Sequence, residues 1–307
     1  MRSGTRFLWL SILLLITSGC EYDEDFGPRP SADDGPKLVL FGELYPKGVE
    51  IRISQSAPVG KSFSPSDLVP PEDTQCLLWV VDSLVGELTY DVRRKRYYLE
   101  QELDVSLHYE VTATAPGLEP VRSDALRFPP PALHIDVVLP ADGFEDGQTS
   151  PLIATLVSEN PTYYVLLPLV EEHDGTDYAR GGLVGTDYDA LYRDECGIVG
   201  HDQRHLALST DCTVGDTTRL DGFLRYANFY YNELTRPVIV PDSPRRVGVR
   251  AGTISIADFN YFKSLRKNQN FFEDYLTVEA LDQFNIQEGY GRIVVINSPQ
   301  PTWVDLK

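Results

Sequence analysis

The chain has 307 residues, with 46 acidic against 27 basic side chains and a formal net charge of −19 at pH 7. So acidic a surface disfavours nucleic acid and anionic lipid, and suits solubility, cation binding or a basic partner. The length exceeds one typical domain and leaves enough apolar sequence for two cores.

The opening stretch has three parts. Arg2 and Arg6 form a cationic start, and residues 7–16 are apolar. That run is too short for a bilayer, which needs about 20 apolar residues. Thr17, Ser18 and Gly19 are small residues of the kind a signal peptidase accepts, and Cys20 follows directly. The arrangement resembles the lipobox of bacterial lipoproteins, in which the cysteine is diacylated and the preceding segment removed. The plainer reading is a secretory signal that happens to contain a cysteine. Residues 1–19 are thus expected to be a lipoprotein signal peptide and Cys20 the lipidation site, with 25 basic against 46 acidic residues and a net charge of −21 left after cleavage. Glu21, Asp23, Glu24 and Asp25 follow the anchor. They resemble the acidic export signal of Bacteroidota lipoproteins, which implies the outer membrane and its exterior face. Residues 20–36 also read as a solvated tether, because residues 27–36 have linker composition.

Residues 38–44 read as a first strand. Val49, Ile51 and Ile53 alternate with Glu50, Arg52 and Ser54, the period of a strand with one wet face. A Ser- and Pro-rich loop spans 54–71, and strands follow at 77–82, 86–92, 96–100 and 109–115. Cys76 opens an apolar run and is expected to be a buried free thiol. Arg93, Arg94, Lys95 and Arg96 read as a hairpin tip. After a turn at residues 115–118, residues 121–127 read as an edge strand. Short strands without a helical period predict a small Ig-like β-sandwich over 37–131.

Pro129, Pro130 and Pro131 stiffen the chain and mark the expected boundary to a second β-rich domain over 132–307. Leu133, Ile135, Val137 and Leu139 alternate with His134 and Asp136, which places His134 on a polar face. Residues 151–157 and 163–170 read as core strands. Residues 171–213 form an acidic, Gly-rich insertion, longer than the 12 to 15 or so residues beyond which loops tend to be functional or disordered. Within it, Cys196 and Cys212 are expected to pair as a disulfide worth around 3 kcal/mol by the chain-entropy estimate. His201 and His205 lie between them, so a zinc site is the alternative. Asp174, Asp177, Asp187, Asp189 and Asp194 offer oxygen ligands for calcium, without an EF-hand pattern.

Further strands are expected at 223–231, 236–240 and 246–255. Tyr226, Phe229, Tyr230 and Tyr231 are candidates for a sugar- or peptide-binding platform; the plainer reading is sheet packing. Ser255 with Asp258 three residues later predicts a capped helix start, and Phe259, Phe262 and Leu265 give that helix an apolar stripe. Residues 293–296 close the chain as a strand. The expected fold is all-β: two β-sandwich-like domains, the first Ig-like, with one short helix in the second.

Ala57-Pro58-Val59-Gly60, the strand from Tyr109 into Ala115-Pro116-Gly117, Tyr163-Tyr164, the helix from Ser255 to Leu265, and Asn285-Ile286-Gln287-Glu288-Gly289-Tyr290-Gly291 together resemble a Bacteroidota outer-membrane lipoprotein family. It is known as domain of unknown function 4249. The likeness spans nearly the whole mature chain; Pro301-Thr302-Trp303 is similar to the family's tail, and the family's Cys-x-x-Cys segment is absent. Family members are commonly encoded beside TonB-dependent outer-membrane receptors, so the resemblance implies such a partner. No activity is established for the family, and none carries over.

The chain contains no nucleophile elbow, Walker loop, His-Glu-x-x-His or dinucleotide fingerprint. Carboxylate pairs such as Glu171-Glu172 are expected in so acidic a sequence, and neighbours on a strand point to opposite faces. The reading adopted is a non-catalytic accessory or ligand-capturing lipoprotein of a TonB-dependent transporter, with no metal and no cofactor beyond the lipid on Cys20. A structural or adhesive envelope protein is the alternative, and a hydrolase with a dispersed site is a third.

Overall fold

A computed structural model of the chain describes residues 35–56, 70–92, 95–139, 149–158, 162–171, 177–178, 183–186, 197–199, 206–210, 217–225, 229–232, 236–239, 246–266 and 284–305. All of them belong to the second of two units, Met1–Pro30 and Ser31–Lys307. The fold is all-β, with one short α-helix among the described residues. None of their helices is long and apolar enough to cross a membrane.

The first half begins with a hairpin. β1 (Leu38–Tyr45) pairs antiparallel with β2 (Gly48–Gln55) across Pro46 and Lys47. There follow β3 (Gln75–Val80), β4 (Ser83–Glu87), β5 (Thr89–Asp91), β6 (Arg96–Glu100), β7 (His108–Thr114), β8 (Val121–Ser123) and β9 (Leu126–Arg127). The single strand expected over 86–92 is divided between two sheets: β4 pairs with β3, and β5 pairs with β6. Leu88 makes the crossover, buried in the core, with its N–H donating to the Cys76 carbonyl at 2.9 Å. Cys76 is a buried free thiol, and burial raises its pKa. The β5–β6 hairpin does flank the basic cluster, although Arg93 and Arg94 lie outside the described residues.

At the β3–β4 turn, Val81 has φ 52° and is 71% exposed. A β-branched residue in the left-handed region carries a cost of roughly 1–2 kcal/mol, because Cβ crowds the backbone. No packing is lost at so exposed a position. Val81→Gly is therefore expected to stabilise the chain by about 1 kcal/mol in urea denaturation; an unchanged or lower midpoint would show that the turn is not strained.

The second half contains β10 (His134–Val138), β11 (Thr149–Val157), β12 (Tyr163–Glu171), β13 (Asp177–Tyr178), β14 (Leu183–Thr186), β15 (Gly197–Val199), β16 (Leu206–Ser209), β17 (Thr217–Arg225), β18 (Phe229–Asn232), β19 (Arg236–Ile239) and β20 (Arg246–Ile254). Helix α1 (Ile256–Arg266) follows, then β21 (Ile286–Gln287), β22 (Tyr290–Val295) and β23 (Thr302–Asp305). One sheet runs β10-β11-β17-β14, another β15-β16-β12-β20-β23 with β13 beside β12, and β18–β19 is a hairpin. Residues 165–170 of β12 are apolar, and both faces of the strand are covered: Tyr164 and Leu166 enter the core of this half, Val165 and Leu167 a cluster on the other side.

The expected boundary at residue 131 does not separate the sheets. After α1 the chain returns to the first half, where β22 lies parallel to β1 and β21 pairs with β8. It then crosses back, and β23 pairs with β20. The first half thus has the sheets β22-β1-β2-β6-β5 and β21-β8-β7-β3-β4, with β9 beside β7. The residues of β22 explain its place. Ile293 and Val295 join the first core, and Val294 packs with Ile296 against α1. A strand apolar on both faces is stable only where both are covered.

The same covering changes β2. Alternation predicts a wet face, and Val49, Ile51 and Ile53 do enter the core, but Glu50 and Ser54 are buried as well. Residues of α1 and β20 pack on that side of the sheet: Phe41 meets the α1 cluster, and Arg250 of β20 lies over the Tyr45 ring.

Candidate functional site

The covered face of the β1–β2 hairpin carries charge. Leu38, Leu40 and Leu44 point into the first core, so Phe41, Glu43 and Tyr45 point the other way, toward the second half. The two-residue connection sets Tyr45 opposite Gly48 and therefore Glu43 opposite Glu50. Like charges directly opposite on paired strands destabilise a hairpin, so the arrangement demands compensation. Arg96 of β6 supplies part of it, with Nη1 3.4 Å from Glu50 Oε2. Arg250 supplies more from the other half, its guanidinium carbon 3.9 Å from the Tyr45 ring centre.

Compensation is incomplete. Glu50 is 4% exposed, and its Oε1 has no hydrogen-bond partner; Glu43 Oε2 is likewise buried without one. Burial raises the Glu43 pKa above its ordinary value; Arg96 and Arg250 oppose the rise, and Glu50 adds to it. Tyr45 is pushed up to about 12, first by burial, with Arg250 working against the shift. Two carboxylates with unsatisfied oxygens in a water-poor seam form a site that can hold a proton, a water or a cation.

A second buried pair lies farther along the same seam. Ser255 caps α1 as its spacing predicts: Oγ accepts the Asp258 N–H at 3.0 Å and donates its own hydroxyl to Asp258 Oδ2 at 2.8 Å. Asp258 Oδ1 then accepts from Arg292 Nε at 2.8 Å, and Nη2 stands 2.7 Å away. Arg292 also lies 5.6 Å from the Tyr261 ring centre. The capping carboxylate thereby fastens the helix start to β22, while Phe259, Tyr261 and Phe262 bury the helix's apolar side.

The residues singled out from the sequence fare differently. Cys20, Cys196, Cys212, Tyr226, His201 and His205 lie outside the described residues, as do Asp174, Asp187, Asp189 and Asp194. Phe229, Tyr230 and Tyr231 fall on β18, opposite Ile239, Val238 and Pro237 of β19. Asp177 falls on β13. Among the described residues, no group of three or more His, Cys, Asp or Glu could hold a metal ion. The Glu43–Glu50 pair escaped the sequence reading because alternation assigned Glu50 to solvent. A signal existed: Pro46-Lys47 is a short turn, and counting outward from it places the two glutamates face to face.

No family model matches the chain, and no curated protein matches it. Among solved structures, it is similar to a glycosyl hydrolase family 2 member from Bacteroides cellulosilyticus DSM 14838, at 11% identity and TM-score 0.19, covering 72% of this chain and 27% of that one. It is similar to a protein described as membrane anchored from Corynebacterium diphtheriae, at 12% identity and TM-score 0.19, covering 72% and 54% respectively. A marsupial T cell receptor gives 10% identity and TM-score 0.19, covering 87% and 75%. The chain thus spans about a quarter of the first of these structures and about half of the second. Likeness at this level carries no argument about activity.

Proposed function

We propose that the protein is a lipid-anchored lipoprotein of the outer membrane, facing the exterior, that serves without catalysis as an accessory or ligand-capturing partner of a TonB-dependent transporter. The observation that carries this reading is the start of the chain: a cationic end, a short apolar run, and small residues directly before Cys20. The acidic residues 21–25 and the linker-like residues 27–36 support it, as does the resemblance to the Bacteroidota family. Two acyl chains on Cys20 would hold the protein at a membrane without a spanning helix, at about 0.8 kcal/mol per buried methylene.

Cys20→Ser is expected to abolish incorporation of a labelled fatty acid and to release the protein from the outer-membrane fraction. Unchanged labelling and retention would sink the anchor, and with it the proposed location. The partner is tested by purifying the tagged, acylated protein from detergent-solubilised outer membrane, with mass spectrometry of what accompanies it. A stoichiometric TonB-dependent receptor supports the accessory role; a lipoprotein without partner favours a structural or adhesive one.

A further inference from the structure

We propose that Glu43 keeps a proton that its Oε2 donates to Glu50 Oε1, and that this proton makes the seam between the two halves an acid-strengthened latch. The register sets the two carboxyl groups opposite each other, and each has one buried oxygen without a hydrogen-bond partner. A single proton satisfies both: one oxygen donates and the other accepts, and the repulsion between two facing carboxylates disappears.

Two guanidinium groups stand near the pair, and neither hydrogen-bonds the two free oxygens. Arg96 contacts Glu50 from β6, while Arg250 from β20 lies over the Tyr45 ring. Tyr45 on β1 and Glu100 on β6 bring no further cation; a negative Glu100 acts on Tyr45 in the same sense as Glu43 and Glu50. Arg52, two residues beyond Glu50, acts on Tyr90. Arg292 on β22 is held by Asp258 of α1. The two guanidinium groups oppose a proton and a divalent cation alike, and the doubly charged ion the more strongly.

The direction of the effect follows from linkage. A carboxyl that holds its proton more tightly in the folded than in the unfolded chain stabilises the fold fully below the unfolded pKa. That contribution is lost as the pH rises from the ordinary glutamate value, 4.5, through the raised one. Above it a second carboxylate is buried beside Glu50, and opening the seam to water relieves its burial and repulsion.

The test compares urea unfolding of the full acylated chain in detergent with its Glu43→Gln variant across the acidic to neutral range. Glutamine carries a permanent donor and no titrating proton. The ratio of the wild-type to the variant folding constant should fall by up to about tenfold per pH unit within the window, the slope for one proton. A ratio that does not change with pH overturns the latch. If calcium alone at neutral pH stabilises the wild type but not Glu43→Gln, the pair is a cation site and the proposal is likewise overturned. Infrared spectroscopy of the unmutated protein gives a second readout that does not depend on the variant folding. A protonated-carboxyl band should persist above the ordinary glutamate range and be absent at high pH. Its absence throughout that range refutes the retained proton.

Discussion

Arg292→Met is expected to destabilise the folded chain by about 3–5 kcal/mol, the range for breaking a buried ion pair from one side. The size follows from burial. Asp258 is 3% and Arg292 6% exposed, so removal of the guanidinium leaves a carboxylate that water cannot reach. Asp258 keeps the Ser255 hydroxyl and stands 3.5 Å from the Val295 nitrogen, which is too little to neutralise a buried charge. Removing both charges is a different matter. In Asp258→Leu/Arg292→Met no ion remains unpaired, and most of the loss should return, apart from about 1 kcal/mol for the weakened cap. The double-mutant cycle should therefore show a coupling of at least about 3 kcal/mol, at the top of the range for touching residues. Urea denaturation of the four proteins measures it. Additive single losses would mean that the two side chains stabilise the fold independently and that the ion pair does not fasten α1 to β22.

Gly291→Ala should cost about 3 kcal/mol and detach β22 from β1. Gly291 has φ 114°, where an L side chain is strained, and a Cβ there would fall onto the Leu40 carbonyl oxygen of the paired strand. The strain accounts for about 1–3 kcal/mol, and the overlap for a similar amount, since the β1 backbone cannot yield without losing its own pairing. Gly117→Ala is the control. It also has a positive φ, 75°, but nothing lies within 4 Å of the added carbon. It should cost about 1 kcal/mol. Amide exchange locates the damage: protection should fall at the β1–β22 ladder in Gly291→Ala and stay unchanged there in Gly117→Ala. Equal losses from the two substitutions would remove close strand approach as the reason for the glycine.

Both substitutions probe the return of the chain to its first half, the feature that separates the observed structure from the sequence reading. Residues 293–296 are legible as a strand from their apolar run, and the Ser255–Asp258 cap is legible from its spacing. Neither pattern names a partner. The Asp258 carboxylate reads as a cap and nothing more, because Arg292 lies 34 residues away in sequence and meets it only through the parallel pairing of β22 with β1. Similarly, the run over 86–92 has the composition of one strand, yet Leu88 takes the chain from one sheet to the other.

The candidate site shows the same division. A short turn at Pro46-Lys47 puts Glu43 opposite Glu50, and this local geometry can be counted from the sequence. Whether the pair meets water or a second layer cannot be counted, because it depends on α1 and β20 some 200 residues later along the chain.

By itself the sequence determined the all-β character, the strand faces, the helix cap, the buried Cys76 and the features from which an anchor at Cys20 is proposed. Each depends on residues a few positions apart, where backbone geometry alone relates them. Only the tertiary structure decided that β22 completes the first sheet, that the face carrying Glu43 and Glu50 is covered, and that Asp258 meets Arg292. Strand periodicity says which residues share a face; what covers that face is decided by long-range packing.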